Sequence, residues 1–407
     1  MSRKTIIVPK GQRAKARDGS PWIFSNEIRM DPAAKALIPG AVVNVRGEDG
    51  REFGTGYFNP KSLIAVRLLA QDCDAVIDAG FFAQRLRRAL ALRDALYNRP
   101  FYRLFHAEGD GVPGLVIDRF DDTVTVQIGT AGMERQIEAI TAALGEVLAP
   151  KTIILRNDAP SRALEGLEPY VKTLKGEGRR IAVEENGARY IADLTEGQKT
   201  GWYYDQRDNR AFIAQFAKGR SVLDAYSYTG GFGILAAKAG AKEVVCLDSS
   251  APALALAEES ARANAVTIKP VKADVFEELE RLKAAGERFD IVLAMEVVEH
   301  VRDVGMFLSR CAAMLKPGGL MVVSTLSRTW KSFAFAIVGA EYILRWLPRG
   351  THQWDKFITP DELAKYLLDN RLVITEQAGV VYNPFADKWS LSSDTDVNYM
   401  VIAEEMM

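Results

Sequence analysis

The chain has 407 residues with 52 Lys and Arg against 53 Asp and Glu, so at about 150 residues per domain two or three domains with ample core are expected. Hydrophobic residues make up 48% and charged residues 26%, the ordinary globular balance, which excludes disordered, collagen-like and coiled-coil classes. The formal net charge of −1 gives no global argument for a polyanionic partner, and any nucleic-acid surface has to be local.

The opening MSRKTIIVPKGQR has too short an apolar run for a signal peptide. Residues 1 to about 75 read as short strands (TIIV, AVVNVRG, REFGTGYF, SLIAVRLL) broken by turn residues, which predicts a small β-barrel or sheet. The first thirty residues carry seven basic side chains (Arg3, Lys4, Lys10, Arg13, Lys15, Arg17, Arg29) against Asp18 and Glu27, a local basic patch. A helical pattern from Phe81 to Phe105 holds Arg85, Arg87, Arg88, Arg93, Arg99 and Arg103 against Asp94 alone. It reads either as a solvated helix face or as a phosphate-facing surface.

From about 76 to 195, GLVIDRF, TVTVQIG, TIILRN, IAVEENG and RYIADL surround one helix from about Met133 to Leu148, a compact α+β middle domain. From 196 to 407 strands and helices alternate: SVLDAYSY, GGFGILAAKAG, EVVCLD, a helix from Ala251 to Ala265, KADVF, a helix to Ala285, FDIVLAM, a helix from Asp303 to Leu315, and LMVVSTL. Repeated βα units imply a mostly parallel, doubly wound α/β sheet. Cys73, Cys246 and Cys311 are widely spaced and odd in number, which fits a reducing cytoplasm better than a disulfide or zinc framework. The stretch Trp330 to Pro348 is interrupted by Lys331, Glu341 and Arg345, so it is expected to lie on a membrane at most and not to cross one.

In such a sheet a ligand binds beyond the carboxyl ends of the strands, where VLDAYSYTGGFG leaves the first of them. Asp248 closes the second strand, placed for a carboxylate to accept from both ribose hydroxyls. Asp274 follows the third, placed to meet an exocyclic adenine amine. With KPGG at Lys316 to Gly319, this pattern resembles a Rossmann-like class I S-adenosyl-L-methionine (SAM) methyltransferase domain; the bland alternative is that the acids only cap helices.

Residues 1 to about 293 resemble the PUA-domain large-subunit ribosomal RNA methyltransferases that form 5-methylcytosine. The matching segments are GSPWIFSNEI, GTGYFNPKSLIAVRLL, AEGDGVPGLVIDRF, LTEGQKTGWYYDQRDNR and VLDAYSYTGGFGILAAKAGAKEVVCLD. The resemblance implies a PUA-like RNA-binding domain over 1–75, ribosomal RNA as partner and SAM as cofactor. Its pocket candidates here are Gln198, Lys199, Thr200, Gly201, Asp205, Gln206, Arg207, Tyr226, Ser227, Tyr228, Thr229, Gly230 and Gly231, joined by Asp224, Asp248 and Asp274. Arg207 and Arg210 are alternatively structural ion-pair partners.

After FDIVLA the pattern departs. That family carries Asp-Pro-Pro and Ser-Cys-Ser segments at the next two strand ends; here they read MEVVEHV and VVSTLSRT, and no cysteine occupies the strand end that a C5-methylating thiolate needs. From about 294 onward the chain instead resembles the ubiquinone-biosynthesis O-methyltransferases, through MEVVEHV, LKPGGLMVVSTLSR, KSFAFAIVGAEYILRWLPRGTH, KFITPDELAKYL and VNYMV. That resemblance implies that Glu296, Glu299 and His300 serve the acceptor, and that Ser332 to Thr351 packs on membrane and admits a prenyl tail. His300 has the chemistry to take a phenol proton, with a glutamate orienting it or binding a cation; alternatively both glutamates cap a helix.

The chain thus reads as an RNA-methyltransferase front spliced to an O-methyltransferase back. Three functions follow: a methyltransferase acting on large-subunit ribosomal RNA, an O-methyltransferase of a prenylated catechol, or a SAM-holding RNA-binding protein without turnover. Coverage ranks the RNA first. The oligomeric state is not legible in the sequence.

Overall fold

The computed structural model describes residues 3–10, 19–197, 201–326, 358–383, 388–392 and 398–406. Among these the chain divides into two compact units, one of residues up to Arg179 and one from Arg180 onward.

The first unit opens with β1 (Thr5–Val8), β2 (Trp22–Phe24), α1 (Pro32–Lys35), β3 (Ala41–Gly47), β4 (Glu52–Phe58) and β5 (Ile64–Ala70). The strands form one sheet in the order β1-β3-β4-β5-β2, curled around Ile6, Val8, Ile23, Val43, Val45, Phe58 and Val66. Period-two alternation in AVVNVRG puts Val43 and Val45 on the inner face.

Helix α2 (Ala79–Leu96) follows, then β6 (Phe101–His106). The helix ends at Leu96 rather than running to Phe105, because Pro100 lacks a backbone donor and disfavours helical backbone at Arg99; FYRLFH then continues as a strand. The remaining elements are β7 (Leu115–Phe120), β8 (Thr123–Ile128), α3 (Ala131–Glu134), α4 (Ile137–Val147), β9 (Thr152–Asn157) and β10 (Tyr170–Lys175). The expected single helix from Met133 is thus two. The sheet runs β10-β9-β8-β7-β6, with α2 and α4 packed on it through Phe82, Leu86, Ile140 and Leu144.

Four of the six arginines of the α2 to β6 region bond to protein partners. Arg93 is buried and grips Asp110 with two bonds of 2.8 Å. Arg103 pairs with Asp118, Arg87 with Glu146, and Arg85 donates to the Leu69 carbonyl. All four guanidinium groups have protein partners, and of the four only Arg93 is buried. In the opening patch Arg29 pairs with Glu48 and Arg3 donates to the Ala75 carbonyl. Arg13, Lys15 and Arg17 lie outside the described residues.

A buried carboxylate ties the two sheets of this unit together. Glu165, its side chain 2% exposed, accepts from Asn59 Nδ2 at 2.8 Å, Ser62 Oγ at 2.9 Å and Arg67 Nη1 at 3.0 Å. Burial alone would raise its pKa; the Arg67 guanidinium and the two neutral donors outweigh that and hold the carboxyl below its ordinary value.

The second unit contains β11 (Arg180–Glu185), β12 (Ala188–Asp193), α5 (Arg207–Ala214), β13 (Ser221–Ala225), α6 (Gly231–Lys238), β14 (Glu243–Asp248), α7 (Ala251–Ala263), β15 (Lys269–Lys272), α8 (Val275–Ala284), β16 (Phe289–Met295), α9 (Val304–Ala312), β17 (Leu315–Leu326), α10 (Pro360–Asp369), β18 (Leu372–Asn383), β19 (Lys388–Ser392) and β20 (Asn398–Glu405). The sheet order is β15-β14-β13-β16-β17-β20-β18-β19. The first five strands are parallel, and β20 lies antiparallel between β17 and β18. VVCLD and IVLA are continuous apolar runs because helices cover both faces, giving one cluster around Leu223, Val292 and Phe307 and another around Val222, Ile291 and Ile213.

The β11–β12 hairpin stands apart from this sheet and leans on α7. Ile191 N donates to Ser260 Oγ at 2.8 Å, and Asn264 receives from Arg189 N and donates to Arg189 O. Among the described residues no helix is long and apolar enough to cross a membrane. The Trp330–Pro348 stretch lies outside those residues.

Replacing Glu165 by Ala strands the Arg67 charge in the interior and is expected to cost about 3–5 kcal/mol. Urea unfolding of wild type and variant measures it. A loss within about 0.5 kcal/mol, the size of a surface change, would remove Glu165 from this role.

Candidate active site

The chain lays down β13, β14 and β15 outward on one side and then returns to add β16 and β17 on the other, so β13 and β16 are neighbours whose connections leave in opposite directions. Such a reversal opens a crevice at the carboxyl edge of a parallel sheet. A cavity of about 430 Å³, within the usual range for small-molecule sites, lies there. It is lined from the loop after β13 (Tyr226 to Thr229, then Gly231 and Phe232), from the end of β14 (Asp248) and from the turn after β16 (Met295 to Val297, Glu299 to Val301). Trp202, Tyr203, Asp205, Gln206 and Arg210 close it from the segment that leads into α5.

Three non-glycine residues in these loops adopt left-handed backbone: Tyr226 (φ 59°), Tyr228 (φ 48°) and Glu296 (φ 52°). Each costs conformational energy that the surroundings must offset, and such residues gather at functional sites. The offset is visible in hydrogen bonds. Ser227 N donates to Leu247 O at 3.0 Å, Tyr228 N to Asp248 Oδ2 at 2.9 Å, and Glu296 N to both the carbonyl and the hydroxyl of Ser324. Helix α6 then sits tight on β14: a Cβ at Gly233 would lie 2.7 Å from Cys246 Sγ, so only glycine fits there.

The acids of the cavity differ in state. Asp248 accepts from Tyr228 N on one oxygen and from Ser250 N at 2.8 Å on the other, and each oxygen keeps acceptor capacity. Asp224 is buried beneath the loop and accepts from Gly233 N at 3.0 Å. Burial, helped by the nearby Asp248 charge and opposed by the Gly233 amide, pushes its pKa up to about 7. Glu299 is buried and accepts from Thr325 Oγ1 at 2.7 Å. His300 is exposed at the cavity rim, its backbone amide closing a turn onto Val297 O. Helix α9 is capped by Asp303, not by either glutamate, which removes the capping explanation for Glu296 and Glu299.

The structure brings together Asp205, Asp224, Tyr226, Ser227, Tyr228, Gly231, Asp248, Glu296, Glu299 and His300, as well as Gln206 and Thr229. Other candidates fall elsewhere. Arg207 does not line the cavity; its Nε reaches Glu185 Oε2 at 3.3 Å, the ion-pair alternative. Asp274 caps α8, accepting from Phe276 N and Glu277 N, because an acid there satisfies the first free amides of the helix. Gly230 takes φ 71° as the residue before α6 and lies behind the loop. KPGG forms an irregularity at the start of β17, at the opposite end of the sheet, where Lys316 Nζ meets Asp290 Oδ2 at 2.8 Å. Gln198, Lys199 and Thr200 lie outside the described residues.

The cavity residues that sequence reasoning passed over are the aromatic and apolar ones, chiefly Trp202, Tyr203 and Phe232. Only the run of aromatics in GWYYDQ hinted at them. All three cysteines are buried and none lines the cavity, with burial pushing the Cys246 and Cys311 thiols up. Among the described residues no group of three His, Cys, Asp or Glu is placed to hold a metal ion.

SAM suits this donor set. Asp248 has acceptor capacity for a diol, the acids favour a positive charge, and the Tyr203 and Tyr228 rings, 5.9 Å apart edge to face, offer aromatic surface to a sulfonium.

A model of a PUA-like domain matches residues 6–71, and one of a methyltransferase domain matches 202–377. The ribosomal RNA large subunit methyltransferase I of Shewanella denitrificans is 37% identical over 359 residues, covering 83% of this chain and 89% of that protein. The chain belongs to the ribosomal RNA large subunit methyltransferase I family. It combines an N-terminal PUA-like domain with a class I methyltransferase domain, as the resemblance of its front implies. The resemblance of its back is met as well. Ubiquinone biosynthesis O-methyltransferases of Bradyrhizobium sp. and Bradyrhizobium diazoefficiens are 68% identical over 165 residues and 84% over 121. Those matches are partial: they take in 40% and 30% of this chain, and the chain spans 63% and 48% of those relatives. A SAM-dependent methyltransferase from Streptococcus mutans superposes with a TM-score of 0.71 over 98% of this chain and all of that one, at 18% identity, which shows the shared fold.

Asp224 gives a pH signature. In the unfolded chain it titrates near 3.8 and in the folded chain near about 7, so between these values the folded state holds a proton the unfolded state has lost. Stability is therefore expected to fall as pH rises from about 4 to about 7 through this group, and Asp224→Asn should flatten that part of the curve. Thermal melts of both proteins across this range test it; parallel curves would mean Asp224 is ionised in the fold.

Proposed function

We propose that this member of the family methylates large-subunit ribosomal RNA, with SAM in the cavity at the β13–β16 reversal and the turn carrying Glu296, Glu299 and His300 serving the acceptor. The observation that carries the reading is the relative matched over 89% of its length, front domains included. Bound SAM supplies an electrophilic methyl group on a sulfonium. In this reading Asp248 accepts from the ribose hydroxyls, while Tyr226, Ser227 and Tyr228 shape the loop around the nucleoside. Glu299, fixed by Thr325, keeps the turn in place so that His300, at the rim, takes a proton from the acceptor.

The acceptor atom is an oxygen or nitrogen. Methylation of cytosine C5 needs a thiolate to add at C6, and the three cysteines are buried away from the cavity. A ribose hydroxyl or an exocyclic amine needs only a base.

A second reading, O-methylation of a prenylated catechol, is favoured by one observation: Glu296, Glu299 and His300, the acceptor group suggested by the back of the chain, all line the cavity. A phenol and an RNA hydroxyl ask the same of His300. The Ser332–Thr351 segment invoked for the prenyl tail and a membrane surface lies outside the described residues.

The deciding assay is transfer of labelled methyl from SAM to ribosomal RNA lacking the modification, run beside a prenylated catechol, with SAM binding followed by calorimetry. Label in RNA is expected. Label in the catechol alone would replace the first reading with the second, and bound SAM without label in either would leave a non-catalytic binder.

His300→Ala is expected to lower kcat by about 100-fold while SAM affinity stays unchanged, the usual size of a lost general base. A retained rate would remove His300 from the chemistry. Asp248→Ala is expected to weaken SAM binding by at least about tenfold, with unchanged affinity refuting the pocket.

A further inference from the structure

Glu185 closes β11, outside the cavity, and its carboxylate is fully buried. It accepts three hydrogen bonds: from Arg210 Nε at 2.8 Å, from Trp202 Nε1 at 3.1 Å and from Arg207 Nε at 3.3 Å. Two of these three partners line the cavity. Arg210 itself is buried and reaches onward, its guanidinium 4.5 Å above the Trp202 ring and its Nη2 2.6 Å from the carbonyl of Tyr203, another lining residue. The far side of the assembly presses on the first turn of α6: a Cβ at Gly231 would lie 3.3 Å from Arg210 Cδ and 3.5 Å from Trp202 Cη2. Tyr190 of the same hairpin stacks on Trp202 from behind, with ring centroids 4.6 Å apart.

We infer that Glu185 is a positioning residue for SAM binding: through Arg210 and Trp202 it sets the wall formed by Trp202, Tyr203 and the Gly231 turn, without touching the ligand itself. The inference rests on the cavity being the SAM site. The physical reason is that Glu185 gives Arg210 its carboxylate partner and Trp202 its N–H acceptor, while their remaining contacts are a carbonyl and aromatic rings. A buried guanidinium needs a carboxylate and an indole N–H needs an acceptor. Glu185 supplies both from one rigid hairpin, which is itself pinned to α7 through Ser260 and Asn264. Stacking over Trp202 then fixes the plane of the guanidinium, which in turn orients the Tyr203 carbonyl. The charge of Glu185 is used up in this pairing, so it adds little to the field felt in the cavity. Its effect on binding passes through geometry.

The test uses the full chain with Glu185→Gln, which keeps the size and one acceptor oxygen, and Trp202→Phe, which removes the N–H donating at 3.1 Å together with part of the ring and keeps an aromatic wall. Thermal unfolding first establishes a temperature at which each variant is folded. Calorimetry then gives the SAM dissociation constant, and label transfer gives kcat and the KM for SAM and for the acceptor separately. Glu185→Gln is expected to raise the dissociation constant and the KM for SAM about tenfold, the KM for the acceptor staying within about twofold. Trp202→Phe is expected to raise the SAM constants by about threefold or more, and it decides the matter should Glu185→Gln not fold. A purely structural role lowers the melting temperature and leaves SAM affinity of the folded protein unchanged, and that result overturns the inference. Asp248→Ala serves as reference. If it weakens SAM binding while the Glu185 and Trp202 variants do not, the positioning role alone fails; if none of the three does, the cavity is not the SAM site.

Discussion

The second unit depends on one topological constraint, the reversal between β13 and β16. Adjacent parallel strands whose connections depart in opposite directions leave a gap at their carboxyl ends that no helix fills. The backbone must bend sharply to leave it, and Tyr226, Tyr228 and Glu296 take left-handed conformations to do so. The strain is tolerated because rigid partners hold each bend: Leu247 and Asp248 on β14 for the first two, Ser324 on β17 for the third. Thus the strands neighbouring the crevice determine the loops that line it, and side chains seventy positions apart, such as Tyr226 and Glu296, come to face one cavity.

The first unit solves a different problem with similar means. Two small sheets, each with its own apolar cluster, are held together through a buried carboxylate and guanidinium, Glu165 and Arg67, with Asn59 and Ser62 completing the coordination. A buried pair of this sort is weak evidence for extra stability but strong evidence for a fixed arrangement, because either partner alone is costly. The same economy explains the arginines around α2. They read as surface charge in the sequence, and three of the six pair with Asp110, Asp118 and Glu146.

Much of this was legible from residues alone. The alternation of βα units after 196, the strands VLDA, VVCLD and IVLA, and the placing of Asp248 and the Tyr226–Thr229 loop at the carboxyl edge follow from period and position. What failed has local causes. Asp274 looked like a ligand because it follows a strand, but an acid one residue before a helix is equally a cap, and spacing does not separate the two. The arginine-rich run looked like one helix because Pro100 was outweighed by helix-forming neighbours. Glu185 carried no signal at all: a glutamate at a strand end next to a turn reads as solvent-facing, and only the fold reveals three donors converging on it.

The position of β20 has a consequence for how the protein is made. That strand, Asn398–Glu405, is not an edge but an interior member of the sheet, flanked by β17 and β18. During synthesis β17 therefore waits with an open ladder until some eighty further residues have left the ribosome, a contact of high sequence separation that slows folding. Among the described residues the sheets of the first unit pair only within Met1–Arg179, so they wait for no such late strand. An ordered, vectorial assembly follows, in which the sheets of the first unit are paired before β17 gains its second neighbour, and the open edge of β17 is a point of risk for misassociation and chaperone capture.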